Sequence, residues 1–221
     1  MVHKPTVWDD IVDVIGTVDA TRHQTKISAE ARTSGKALYA AVSNYTPEQT
    51  QAMADALNAH NIHLLIHQPS YNMLNRWVER DGLKDTLREL GVGSIAFTPL
   101  AQGMLTKKYL NGIPQDSRAA QDKSLDPAML SPKAIESIRA LDALAQRRGQ
   151  TLAQMAIAWV LRPDANGGAI TSALIGASRP SQVEDCAGAV GNLDFTAGEL
   201  AEIDALASEE QVNLWAKSAE L

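Results

Sequence analysis

The sequence predicts an α/β fold: about four parallel strands with helices on their outer side. Three observations predict it. Short apolar runs recur at residues 37–42, 62–67, 92–97 and 170–175. Each run stops at a polar or Gly/Pro-marked segment and gives way to a helical pattern, and strand–helix alternation of this kind builds a parallel sheet with helices packed against it. The helices also announce their starts, with capping boxes at Thr46–Gln49, Thr151–Gln154 and Thr196–Glu199. A closed β/α barrel needs about eight such strands, so the count of four bounds the architecture.

Residues 1–28 form an atypical leader, either unstructured or unrelated to the remainder, and residues 29–221 form the α/β domain. In the leader, Ile11, Val12, Val14, Ile15 and Val18 are apolar around Asp13, a cluster that suits a strand or one side of a helix. After the turn Ser34-Gly35-Lys36 the first strand ends at Ser43-Asn44-Tyr45. Thr46 caps a helix with Pro47 at its first position, running to about Ala59. The second strand ends at Gln68-Pro69. A polar connection containing Trp77 leads to a helix over residues 83–90, with Gly91 as its stop. The third strand ends where Pro99 cannot donate to a ladder, and Gly103 bends the loop beyond it. Residues 104–130 are a long connection without periodicity, and connections of that length are usually functional or unstructured. Ser131-Pro132 opens a helix with Ile135, Ile138, Leu141 and Leu144 on one face and Gly149 at its end. The next helix stops before Pro163. Pro180 opens another, and the last buries Leu200, Ile203 and Leu206.

Composition narrows the function. The 221 residues are 45% hydrophobic and 21% charged, with a net charge of −6. No basic run and few aromatics argue against nucleic acid as a partner. Cys186 is the single cysteine, which excludes an internal disulfide framework or a cysteine metal site and fits a cytoplasmic protein. No stretch of about 18 apolar residues is present, so no transmembrane segment is expected. His3 and His23 have no spaced partner and read as surface residues.

The four strand ends carry the chemistry. Ser43, Asn44 and Gln68 offer amide and hydroxyl groups suited to a neutral polar edge such as a carboxamide. Phe97 offers a flat face for stacking. Lys108, Arg118 and Arg179 are loop cations able to meet phosphates, and the helix after Ser178 adds backbone N–H groups. Each also has a plainer reading: a turn at Ser43-Asn44, a polar strand end at Gln68, a core side chain at Phe97.

The segments VSNY (42–45), IHQPSYNMLNR (66–76), FTPLAQG (97–103), LIGASRPSQ (174–182) and VNLW (212–215) together resemble the aldo-keto reductase family, over about residues 34–215. The likeness is to bacterial reductases of the glyceraldehyde-3-phosphate type and to potassium-channel β subunits. It implies a partial (β/α) TIM-type barrel, a half-barrel, with NADPH as cofactor. It implies that Ser43, Asn44 and Gln68 hold the nicotinamide carboxamide and that Phe97 stacks on its ring. Thr98, Pro99, Leu100 and Gln102 would line the pyrophosphate path, and Lys108 would reach the phosphates with Tyr109 and Arg118 nearby. Ser178, Arg179 and Gln182 would take the 2′-phosphate end. Asp185 and Cys186 depart from the family's usual Glu-Asn, and Lys107 replaces a common glycine.

The family's catalytic Asp, Tyr, Lys and His find no match, so no catalytic residue is assigned and the chain reads as a truncated reductase-like protein. Lys26 and His3 lack the required strand contexts. Two functions follow from this reading. One is NADPH-dependent reduction of a small aldehyde or ketone, or its remnant. The other is a non-catalytic protein whose open sheet edges and exposed apolar face bind apolar ligands or interfaces, or a second copy of itself.

Overall fold

The computed structural model describes residues 30–115, 120, 125, 129–166, 168 and 170–207. The leader, residues 1–28, together with Arg118 and the VNLW stretch, lies outside the described residues. Two compact units divide the chain. The first takes the described residues up to Pro69 together with Val78–Ile95; the second takes Ser70–Trp77 and continues from Ala96.

In the first unit, β1 (Ala40–Ser43) and β2 (Leu64–Gln68) pair in parallel, with Ser43 opposite Gln68. The register shifts between Ala40 and Ala41. β2 pairs in parallel with β3 (Gly93–Ala96) through Ile66 and Gly93. Helix α1 (Pro47–Asn58) starts as expected: Gln49 N donates to Thr46 Oγ1 at 3.2 Å and Thr46 N donates to Gln49 Oε1 at 3.0 Å. Its Met53, Ala54 and Leu57 are buried, as are Leu83 and Leu87 of the neighbouring α2 (Leu83–Leu90). Burying a Met or Leu side chain contributes about 1.5–3 kcal/mol, so these few residues hold the two helices together and α1 against β2. Gly91 ends α2 at a φ of 65°, a left-handed position that glycine adopts without a Cβ clash.

The second unit is built around α4 (Leu152–Val160), which is buried on nearly every side. A helix apolar all round needs neighbours on all sides. α4 packs against α3 (Pro132–Arg147) and α5 (Pro180–Ala187), and α3 also packs against α6 (Ala197–Leu206). Strand β4 (Ser172–Ala173) completes a sheet of order β1-β2-β3-β4. Ala96, the last residue of β3, belongs to this unit, and its carbonyl accepts Leu174 N at 2.8 Å.

The parallel sheet with flanking helices agrees with the expected class. The ladders are shorter than the apolar runs: β1 and β4 hold four and two residues. An apolar run records burial, whereas a strand ends where ladder hydrogen bonds end. In α6 only Ile203 is fully buried; Leu200 and Leu206 are half-buried. A 3₁₀ turn at Ala101–Gly103 precedes the long connection, and a second, Lys107–Tyr109, lies near its start. No described helix is long and apolar enough to cross a membrane.

Candidate functional site

In the first unit, three of the sequence-predicted residues meet at the carboxyl ends of β1 and β2. Ser43 Oγ donates to the Gln68 carbonyl at 2.8 Å, and Asn44 N donates to the same oxygen at 3.2 Å. The single hydroxyl hydrogen of Ser43 is thereby used, and its Oγ can only accept from a further group. Asn44 has a φ of 53°, a left-handed conformation that asparagine tolerates better than most residues. Beside Gln68, His67 is fully buried. Its Nε2 lies 3.1 Å from the Tyr45 carbonyl, so Nε2 carries the proton, and Nδ1 has no hydrogen-bond partner. Burial pushes the imidazole down to about 4, only partly opposed by the bond to Tyr45. It is therefore neutral at physiological pH.

In the second unit, the loop after β3 has an unusual backbone. Thr98, Ala101 and Gln102 have φ values of 56°, 46° and 57°, and Gly103 follows at 95°. A left-handed β-branched residue is an outlier, and strain of this kind persists only where neighbours over-determine it. The neighbours are visible. Thr98 Oγ1 donates to the Phe97 carbonyl at 2.7 Å and lies 3.0 Å from Ser70 Oγ. The Thr98 carbonyl accepts Asn72 Nδ2 and Ala101 N, each at 2.9 Å. The Phe97 carbonyl also accepts Tyr71 N at 3.2 Å, within a parallel bridge between Ser70 and Phe97. Phe97 is half-buried and Pro99 buried. Gln102 Oε1 is buried with no hydrogen-bond partner. Leu100 packs on a cluster of Ile157, Cys186 and Ala189, so its side chain serves the core of this unit.

The second predicted group lies after β4 and is exposed. Gln182 Oε1 accepts from Ser178 N at 2.8 Å, Ser178 Oγ at 3.2 Å and Arg179 N at 3.1 Å. A side-chain oxygen thus takes up the Ser178 and Arg179 N–H groups at this helix start. Lys108 is exposed, with Nζ 6.0 Å from the Tyr109 ring centroid. Tyr109 itself is buried, and its hydroxyl has no hydrogen-bond partner.

The departures at Asp185 and Cys186 turn inward. Thr151, the cap of α4, donates to Asp185 at 3.0 Å. Cys186 is buried, and burial followed by the neighbouring Asp185 charge raises its thiol above the ordinary range. Lys107 lies 4.0 Å from the buried Asp142. Ser70, Asn72 and Asn75 received no role from sequence reasoning. The one available signal was their concentration between Pro69 and Trp77, a stretch read as a polar connection.

The sequence profile of the aldo/keto reductase family matches residues 1–208. The chain belongs to this family. It is 53% identical over 196 residues to the L-glyceraldehyde 3-phosphate reductase of Escherichia coli K12, covering 87% of this chain and 56% of that protein. It is 34% identical over 155 residues to an Arabidopsis thaliana protein named "Probable voltage-gated potassium channel subunit beta", covering 68% of this chain and 46% of the other. The chain therefore spans about half the length of these relatives. Among solved structures, a glycerol dehydrogenase of Gluconobacter oxydans matches with a TM-score of 0.67 at 25% identity, over 84% of this chain and 54% of that one. A thermostable aldo-keto reductase matches with a TM-score of 0.56 at 21% identity, over the same shares, and supports the fold alone. The aldo-keto reductase resemblance seen in the motifs is thus confirmed for family and fold.

Proposed function

We propose that the chain binds NADPH and that its chemistry is the reduction of small aldehydes or ketones. The observation that carries this reading is the left-handed loop Thr98–Gly103, strained, tethered from beneath and holding the unpartnered Gln102 Oε1. Strain retained at such a loop suits a prepared ligand platform.

The donor set fits the cofactor. Ser43 Oγ has only acceptor capacity left, which suits the NH₂ of a carboxamide, while the Asn44 and Gln68 side chains carry both donors and acceptors. The half-buried Phe97 would stack on the nicotinamide. Thr98, Pro99, Leu100 and Gln102 would follow the pyrophosphate through the loop backbone, and Lys108 would meet it as a cation. Arg118 belongs to the same proposal by resemblance. At the other end, Gln182 would yield its place at the helix start to a 2′-phosphate, which Ser178 and Arg179 would hold with charge-assisted bonds.

Bound NADPH would supply the hydride. The sequence offers no motif match for the family's Asp, Tyr, Lys and His, so general acid assistance, typically worth about 10²–10⁴-fold, is not assigned to any residue. The relative named an L-glyceraldehyde 3-phosphate reductase makes a small aldehyde the first substrate class to try. Titration of the protein with NADPH, followed by its emission, is expected to saturate. Carbonyl-dependent NADPH oxidation is expected to be at least about 100-fold slower than in enzymes with a full proton-donor set. No saturable binding contradicts the proposal.

One observation favours a second reading, self-association. In the first unit Leu38 and Tyr39 are each 70% exposed, and Leu65 of β2 is 41% exposed. Exposed apolar groups mark interaction surfaces when contiguous. A sedimentation coefficient independent of concentration would count against it.

A further inference from the structure

We infer that Ser70, Asn72 and Asn75 are positioning residues that set the β3 loop for the dinucleotide. This rests on the cofactor reading above. All three are buried, at 1%, 2% and 4% exposure, and all lie in the same unit as the loop.

The hydrogen inventory gives their bonds one direction. Thr98 has a single hydroxyl hydrogen, which goes to the Phe97 carbonyl. Between Ser70 and Thr98, therefore, Ser70 must be the donor. Ser70 Oγ in turn accepts Asn75 Nδ2 at 3.2 Å. The result is an ordered chain of donors, from the Asn75 amide through the Ser70 and Thr98 hydroxyls to the Phe97 carbonyl. Chains of this kind polarise cooperatively in a low-dielectric interior. Asn72 closes the second side. Its Nδ2 donates to the Thr98 carbonyl, its Oδ1 accepts Leu74 N at 2.9 Å, and its backbone exchanges two 3.1 Å bonds with Asn75. Trp77 Nε1 anchors the Ser70 carbonyl at 2.8 Å. Both carbonyls flanking the left-handed Thr98 peptide are thus fixed by groups that themselves have no freedom. That is how a β-branched residue is kept in this conformation, and it fixes the direction of the Phe97 side chain and the path of residues 98–103.

Three variants test the inference: Ser70→Ala, which removes one hydroxyl, Thr98→Val, which removes the hydroxyl at constant shape, and Thr98→Ser as the conservative control. Two readouts are used on each. Amide hydrogen exchange in the unliganded protein is expected to rise about tenfold or more across residues 96–104 in Ser70→Ala and Thr98→Val, unchanged in α3, with Thr98→Ser close to wild type. Binding is expected to weaken roughly five- to twentyfold for NADPH but not for adenosine 2′,5′-bisphosphate, which lacks the nicotinamide half. Unchanged exchange in the loop overturns the inference. Equal losses for both ligands overturn it too, because they indicate general destabilisation. A wild-type protein that binds neither ligand refutes the cofactor reading and the positioning role with it, whereas wild-type binding with unaffected variants refutes the positioning role alone.

Discussion

The loops after β3 and β4 leave neighbouring strands of one sheet, yet they are held in opposite ways. The β3 loop is fixed from beneath by buried serine and asparagine side chains that lie far from it in sequence. The β4 loop is exposed and fixed by its own Gln182, which folds back on Ser178 and Arg179. The difference suggests a division of labour in the proposed site. A platform for a flat ring gains from being prepared before the ligand arrives, since ordering it on binding would subtract from affinity. A phosphate subsite need only exchange one oxygen for another.

Four experiments sharpen or break this contrast. The largest expected effect concerns β2, whose end is supported by a titratable group where that of β3 is supported by amides and hydroxyls. His67 is held near 4 when folded, against about 6.5 when unfolded. Its folded value is lowered, so above 6.5 both states are neutral and nothing is lost. As pH falls from 6.5 toward 4 the unfolded chain binds a proton that the folded chain refuses, and stability drops by roughly 3 kcal/mol in total. Urea unfolding between pH 7 and 5, where ordinary carboxylates titrate little, is expected to slope accordingly, and His67→Gln is expected to flatten that slope. A slope unchanged in His67→Gln would show that the imidazole is not the source.

Next in size is Asn72→Ala, expected to lower unfolding free energy by about 2 kcal/mol, because Leu74 N and one lone pair of the Thr98 carbonyl lose their buried partner. Gly103→Ala follows, at about 1–2 kcal/mol. A methyl there would sit 3.7 Å from Tyr109, which is ordinary contact, so the effect comes from the φ of 95°. Gln182→Ala is the smallest. Water can replace its oxygen at an exposed helix start, and the change is expected to stay within about 0.5 kcal/mol. Equal effects for Asn72→Ala and Gln182→Ala in chemical denaturation would erase the distinction between the loops.

Most of the fold was legible because helix starts are local. Thr46, Ser131, Thr151 and Thr196 each bind the backbone three residues on, as their sequences required. Strand positions were legible from apolar runs, though not their ends, since Ala37 and Ile175 are apolar without joining a ladder. At the ends of β1 and β2, Ser43 and Asn44 both donate to the Gln68 carbonyl, a proximity that the two strand ends made legible. The support of the β3 loop was not legible. Ser70 and Asn72 act on Thr98, 28 and 26 positions away, and nothing in a short polar segment says that its side chains are buried. Asp185 and Cys186 show the converse. Noted in the sequence as departures from the family's usual Glu-Asn, they face Thr151 and the helix core.

The most direct test of the account is a fluorescence titration of the intact protein with NADPH, run beside Thr98→Val. Saturable binding to one site per chain is expected, weakened roughly five- to twentyfold by that single isosteric change. Absence of saturable binding to the wild-type protein, or equal affinity in the two proteins, would contradict it.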